Sequence, residues 1–147
     1  MYDNNCPYCN LTADQEQQII FETETCAYIQ KASEQIVLEG SGLIVPKRHA
    51  VDLFSLTPEE WVDTQELLLK AKAYLEERYE HEGYSVGWNT GEVGGQSIPH
   101  AHLHIIPRFS DEPLAGKGIR YWIKQKENLR GALSKRPLRH FTLSTKL

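Results

Sequence analysis

Apolar residues fall in short runs through the first third of the chain, take up a helical period in the middle, and return to short runs before residue 110. Residues 19–21 and 26–30 read as two short strands of a hairpin. The apolar runs 36–39 and 43–45 flank Gly40-Ser41-Gly42, and the second reads as a strand ended by Pro46. Thr57-Pro58-Glu59-Glu60 is a helix start: Thr57 suits the N-cap, Pro58 the first helical position, and Glu60 completes a capping box. The helical pattern runs to about Glu82, with Trp61, Leu68, Ala71, Leu75 and Tyr79 as its buried stripe and Gly83 as its stop. Residues 84–89 alternate as a strand, a glycine-rich loop follows, and 98–106 reads as a strand bounded by Pro99 and Pro107. A second, shorter helix is predicted over 119–133. This order predicts an α+β fold with a five-stranded antiparallel sheet, a long helix and a shorter C-terminal helix. The expected organisation is one domain over 1–147, with a core at about 5–110 and a C-terminal extension, 111–147.

Composition narrows the class. A chain of 147 residues, 40% hydrophobic and 24% charged, can bury one sizeable core as a soluble protein. A net charge of −4 and a pI of about 5.9 argue against a nucleic-acid surface, so an anionic substrate would have to be held by local donors. No apolar run approaches the roughly 20 residues of a membrane span. The first five residues lack the basic and apolar parts of a signal peptide, so the expected compartment is the cytoplasm. There, Cys6-Pro7-Tyr8-Cys9 reads as a metal or redox pair rather than a disulfide, and the βαβ setting of a redox motif is missing. Cys26 reads as a small buried side chain.

The concentrated chemistry is His100-Ala101-His102-Leu103-His104, three of the chain's six histidines within five residues. On a strand these three share one face, while Ala101, Leu103 and Ile105 turn to the core. Positions i and i+4 on a straight strand are roughly 13 Å apart at about 3.3 Å per residue. That is too far for all three to bind one ion, so the histidines take different roles. Directly upstream lies Asn89-Thr90-Gly91-Glu92-Val93-Gly94-Gly95-Gln96-Ser97. Its glycines permit positive φ and close backbone approach, and its N–H groups could form an anion-binding nest. The bland reading of such a loop is a turn; next to the histidine run it points to phosphate. Lys47, Arg48 and Arg108 read as solvated strand-end charges in preference to phosphate clamps, and His81 and His140 have no evident partner.

This loop and histidine run, with Leu43-Ile44-Val45-Pro46-Lys47-Arg48-His49 upstream, resembles the histidine triad (HIT) superfamily of nucleotide hydrolases and transferases, over roughly residues 5 to 110. The Cys-x-x-Cys pair resembles that of its zinc-binding members. The resemblance implies that His102 attacks a nucleotide α-phosphate to give a covalent nucleotidyl-histidine, from an exposed position in the pocket. The His100 carbonyl would accept from its Nδ1, and His104 would neutralise growing charge. Ser97 and Gln96 would bind phosphate or protonate the leaving group, with Gly95 and Asn89 placing the phosphate. Gln30 is the candidate for the sugar, and Ser41 stands where many relatives carry a fourth histidine. The resemblance further implies one structural zinc on Cys6, Cys9, His49 and His100, and a homodimer in which the stretch around Tyr121-Trp122 either reaches the neighbour's pocket or packs as a core helix. The expected substrates are dinucleoside polyphosphates or nucleoside phosphoramidates. A nucleotidyltransferase and a non-catalytic nucleotide-sensing module are the alternatives.

Overall fold

The short apolar runs build one antiparallel sheet. A computed structural model describes residues 3–129 of the chain, which divides into two compact units, Met1–Ala115 and Gly116–Leu147. In the first unit the strands are β1 (Gln17–Glu22), β2 (Cys26–Lys31), β3 (Gly42–Pro46), β4 (Gly83–Trp88) and β5 (Leu103–Arg108), in spatial order β1-β2-β3-β5-β4. The helix α1 (Pro58–Glu76) covers β2, β3 and β1.

Strand parity sorts the two faces. Cys26, Tyr28, Ile44, Leu103 and Ile105 meet Leu67, Ala71 and Leu75 of α1 in the main core. Ala27, Ile29 and Val45 turn the other way, under Tyr8 and Leu11 of the N-terminal segment. A Cβ on Gly42 would lie 2.5 Å from the Tyr28 ring and 2.8 Å from the Ile29 carbonyl oxygen, so β3 closes on β2 only because that position has no side chain.

The start of α1 is built as its sequence dictates. The Thr57 hydroxyl accepts from the Glu60 N–H, and the Glu60 carboxylate accepts from the Thr57 N–H. The same carboxylate, almost fully buried, accepts two bonds from Arg48, at 2.9 Å from Nε and 2.8 Å from Nη2. Burial alone would raise its pKa, but Arg48 and the Thr57 N–H outweigh that and hold it below the ordinary 4.5. A depressed acid stabilises the fold above its ordinary pKa, and that share is lost as pH falls through the lower folded value. Glu60→Gln is therefore expected to lower stability by about 2 kcal/mol at pH 7, discounted for the half-exposed arginine. Denaturant titrations at pH 7 and pH 3 should show that difference shrinking at the lower pH.

The helix departs from the expected pattern in two ways. Its buried positions are Glu60, Thr64, Leu67, Ala71 and Leu75, while Trp61 is 42% exposed and Tyr79 lies beyond the helix end. The helix closes at Glu76, because the Arg78 N–H bonds back only three residues to Leu75 and Glu82 joins the end of β5 through Arg108. The apolar run 36–39 forms no strand: Ala32–Ile36 is a 3₁₀ turn, and Ile36 and Val37 are 87% and 83% exposed. The Gln35 amide satisfies the backbone there, donating to the Lys31 and Ser41 carbonyls and accepting from the Gly40 N–H, so the loop closes on itself.

In the second unit α2 spans only Ile119–Ile123, followed by a turn at Lys126–Asn128. Tyr121 and Trp122 pack edge to face at 5.1 Å, and Lys117 sits over the Tyr121 ring. The helix expected over 119–133 therefore stops at Ile123 in the described residues; residues 130–133 of it, and His140, lie outside them. No helix among the described residues is long and apolar enough to cross a membrane.

Candidate functional site

The histidine run is not one strand. β5 begins at Leu103, and 98–102 is irregular. Pro99 has no N–H to give a ladder, the His100 N–H turns back to the Ile98 carbonyl, and Ala101 bonds to Ala50 instead of a strand neighbour. The alternation survives: Ala101, Leu103 and Ile105 are buried in the core layer, while His102 and His104 line a common cavity. His100 sits deeper, fully buried against the N-terminal segment.

Each imidazole's hydrogen bonds define its free nitrogen. The Nδ1 of His102 lies 2.7 Å from the His100 carbonyl oxygen. A carbonyl only accepts, so Nδ1 carries a proton, and in the neutral tautomer this fixes, Nε2 is the nitrogen with the lone pair. His102 is not an exposed pocket residue: it is 4% exposed, with the Tyr8 ring 5.4 Å and the His104 ring 5.0 Å away, centroid to centroid. The Nε2 of His104 is buried without a hydrogen-bond partner among the described residues. Burial, then His102, pushes the His104 pKa below its ordinary value, so this ring is neutral at pH 7.

The His100 ring is fixed in the same way. Its Nε2 donates to the Pro46 carbonyl at 2.8 Å, which turns the Nδ1 lone pair toward Cys6 Sγ at 3.3 Å and Cys9 Sγ at 3.7 Å. The Nδ1 of His49 lies 3.3 Å from Cys9 Sγ. All four donor atoms fall within 4.8 Å of one another. A tetrahedral site with ligand bonds of about 2.1–2.3 Å has edges of roughly 3.6 Å, so this nitrogen–sulfur set can hold a metal ion. Burial holds the His100 pKa at about 4, which keeps the ring in the neutral form that ligation requires.

The cavity has a volume of about 300 Å³. Its lining includes polar Ser97, His102 and His104, apolar Ile29, Leu43 and Ile106, and charged Asp14, Lys31 and Glu34. Strand register brings three of these together: Ile29 pairs with Leu43, and Leu43 with His104, so the three stand in one row across the sheet. The same parity separates Lys31 from Gln30. Lys31 shares the cavity face and pairs with Asp14 at 3.0 Å, whereas Gln30 bonds to the Gly40 carbonyl and the Tyr28 hydroxyl on the helix side.

A sequence model of the HIT domain matches residues 12–111. The chain belongs to the HIT family. A bis(5′-nucleosyl)-tetraphosphatase (asymmetrical) of Schizosaccharomyces pombe is 35% identical over 82 residues, covering 53% of this chain and 45% of the relative. The adenosine 5′-monophosphoramidase hnt1 of the same yeast is 32% identical over 80 residues, covering 54% of this chain and 57% of the relative. The chain therefore spans only about half the length of these two enzymes. The crystal structure of a HIT family protein from Bacillus anthracis superposes with a TM-score of 0.65 at 29% identity, covering 74% of this chain and 76% of that one.

Within this HIT domain the glycine loop is held by a residue first read as a phosphate ligand. The Gln96 amide accepts from the Gly91 N–H and donates to the Val51 and His100 carbonyls, so its side chain is engaged with backbone at both ends. Gly95 has a φ of +92°, and its α-carbon faces the Asn89 side chain. Lys47, Arg48 and Arg108 are ion-paired to Glu22, Glu60 and Glu112, and none of them lines the cavity. His81 packs edge-on against Tyr84 at 4.5 Å. Sequence reasoning missed Tyr8, Lys31 and Asp14. Parity along 26–31 carried the signal for Lys31, and Tyr8 was visible only as the residue between two cysteines.

Proposed function

We propose that this HIT protein is a nucleotide hydrolase acting at an α-phosphate, on dinucleoside polyphosphates or nucleoside phosphoramidates, through a covalent intermediate on His102. The observation that carries the reading is the His102 ring, its Nδ1–H tied to the His100 carbonyl and its Nε2 lone pair free at a cavity that also holds Ser97 and His104. The Nε2 attacks phosphorus and the bond to the leaving group breaks; that group departs with a proton supplied through Ser97. Water then cleaves the Nε2–phosphorus bond and releases the nucleoside monophosphate. His104 turns its unpartnered Nε2 toward phosphate oxygens, and Gly95 and Asn89 shape the loop that receives them. Gln96 acts by holding that loop. The Lys31–Asp14 pair, rather than Gln30, offers a donor and an acceptor to sugar hydroxyls.

Two thiols and two imidazoles gathered within 4.8 Å of one another suit zinc, and Cys6, Cys9, His49 and His100 would hold one ion. Its contribution is structural, fixing the residue whose carbonyl orients His102. A homodimer belongs to the same reading. β4 is an edge strand, its Val86 is exposed, and Trp61 stacks edge-on with Trp88 at 5.9 Å without being covered. Light scattering should then give twice the 16.9 kDa chain mass, and a monomer mass at micromolar concentration would remove the dimer. The function itself is tested by turnover of a panel containing a diadenosine polyphosphate, an adenosine phosphoramidate and a 2′-deoxy analogue. Release of nucleoside monophosphate is the expected product; no turnover of any member would refute the hydrolase reading.

A further inference from the structure

The residue between the two cysteines touches both the candidate metal cluster and the cavity. Tyr8 lies inside Cys6-Pro7-Tyr8-Cys9, and its ring is 5.7 Å from His100 and 5.4 Å from His102, centroid to centroid. Pro7 and Tyr8 both line the cavity. The segment that carries them is weakly held otherwise. Its described backbone hydrogen bonds are local turns, Cys6 to Asp3, Cys9 to Cys6 and Ala13 to Asn10, and no described ladder bond joins residues 3–12 to the sheet. What fastens it is the packing of Tyr8 and Leu11 on Ala27, Ile29 and Val45, one bond from the Gln17 amide to the Leu11 carbonyl at 3.0 Å, and the Cys6 and Cys9 contacts to His49 and His100.

We infer that this cysteine knuckle is a wall of the substrate cavity, so that metal occupancy and nucleotide binding are thermodynamically linked through Tyr8. A metal ion on the four donors clamps the knuckle at both ends and presses Pro7 and Tyr8 over the cavity beside His102. Without that clamp only the packing of Tyr8 and Leu11 and the Gln17 bond to the Leu11 carbonyl hold the segment, and the wall must be ordered when the ligand binds. The ordering then weakens the ligand. Linkage is reciprocal: a metal that tightens nucleotide binding by some factor is itself tightened by nucleotide by the same factor.

This inference rests on the nucleotide reading of the cavity, and the test separates the two. AMP is titrated calorimetrically into zinc-loaded and chelator-treated full-length protein, with far-UV circular dichroism confirming that both are folded. Zinc affinity is measured against a chromophoric chelator with and without saturating AMP. The metal-free protein is expected to bind AMP at least roughly tenfold more weakly, and AMP should raise zinc affinity by the same factor. Loaded Tyr8→Ala should still take one zinc, bind AMP more weakly than wild type, and lose most of the AMP effect on zinc. AMP affinity that is equal with and without metal, or linkage undiminished in Tyr8→Ala, overturns the inference alone. Failure of AMP and of every panel nucleotide to bind the loaded protein overturns the nucleotide reading and this inference with it. If chelation unfolds the chain, the loaded proteins decide: unchanged AMP affinity and zinc linkage in Tyr8→Ala count against the proposal.

Discussion

His102→Ala is expected to abolish turnover, lowering kcat by on the order of 10⁴-fold or more, because no other imidazole lining the cavity has its Nδ1–H tied to a backbone carbonyl. The substitution also deletes a buried ring packed between Tyr8 and His104, so some loss of stability accompanies it. His102→Asn separates the two effects, since it fills part of the space while offering no nucleophile. Both variants should remain folded by circular dichroism. Neither should trap acid-labile label from an α-³²P-labelled nucleotide, which wild type should do. An alanine variant with wild-type turnover would remove His102 from the mechanism.

Removal of the metal is expected to have the largest effect on stability. The donors join the N-terminal segment to the β3–α1 connection and to the chain just before β5, so binding free energy is partly folding free energy. Chelator should lower the melting temperature by about 10 °C or more, corresponding to a few kcal/mol for a domain of this size. Cys9→Ser should reproduce much of that shift without chelator. Metal analysis of protein purified without chelator should give close to one zinc per chain, and a melting temperature indifferent to chelation would rule out a structural ion.

Much of this architecture was legible in the chain because it depends on local rules. The capping box at Thr57 and Glu60 formed as read, and the strands containing 26–30 and 43–45 formed with their buried faces set by parity. The readings that failed depended on tertiary competition. Trp61 lies on the helical stripe, yet buried Thr64 and Leu67 hold the inner face while Trp61 meets Trp88 at the surface. The strand read over 98–106 begins only at Leu103, because Pro99 has no ladder donor and the Ala101 N–H goes to the Ala50 carbonyl. At the site, the histidines stood out because their spacing is rare. Tyr8 did not, since no period or motif reveals that a residue 94 positions upstream of His102 will meet its ring.

That separation bears on how the protein is made. Cys6 and His100 are 94 residues apart, and Cys9 and His49 are 40 apart. As the chain emerges from the ribosome, the thiols are exposed first, His49 joins them later, and the last donor arrives only when most of the domain has been synthesised. An ion captured early has an incomplete set of ligands and is readily surrendered. With the proposed ion, full coordination would therefore coincide with closure of the sheet around β5, and metal retention would mark a chain that has completed folding.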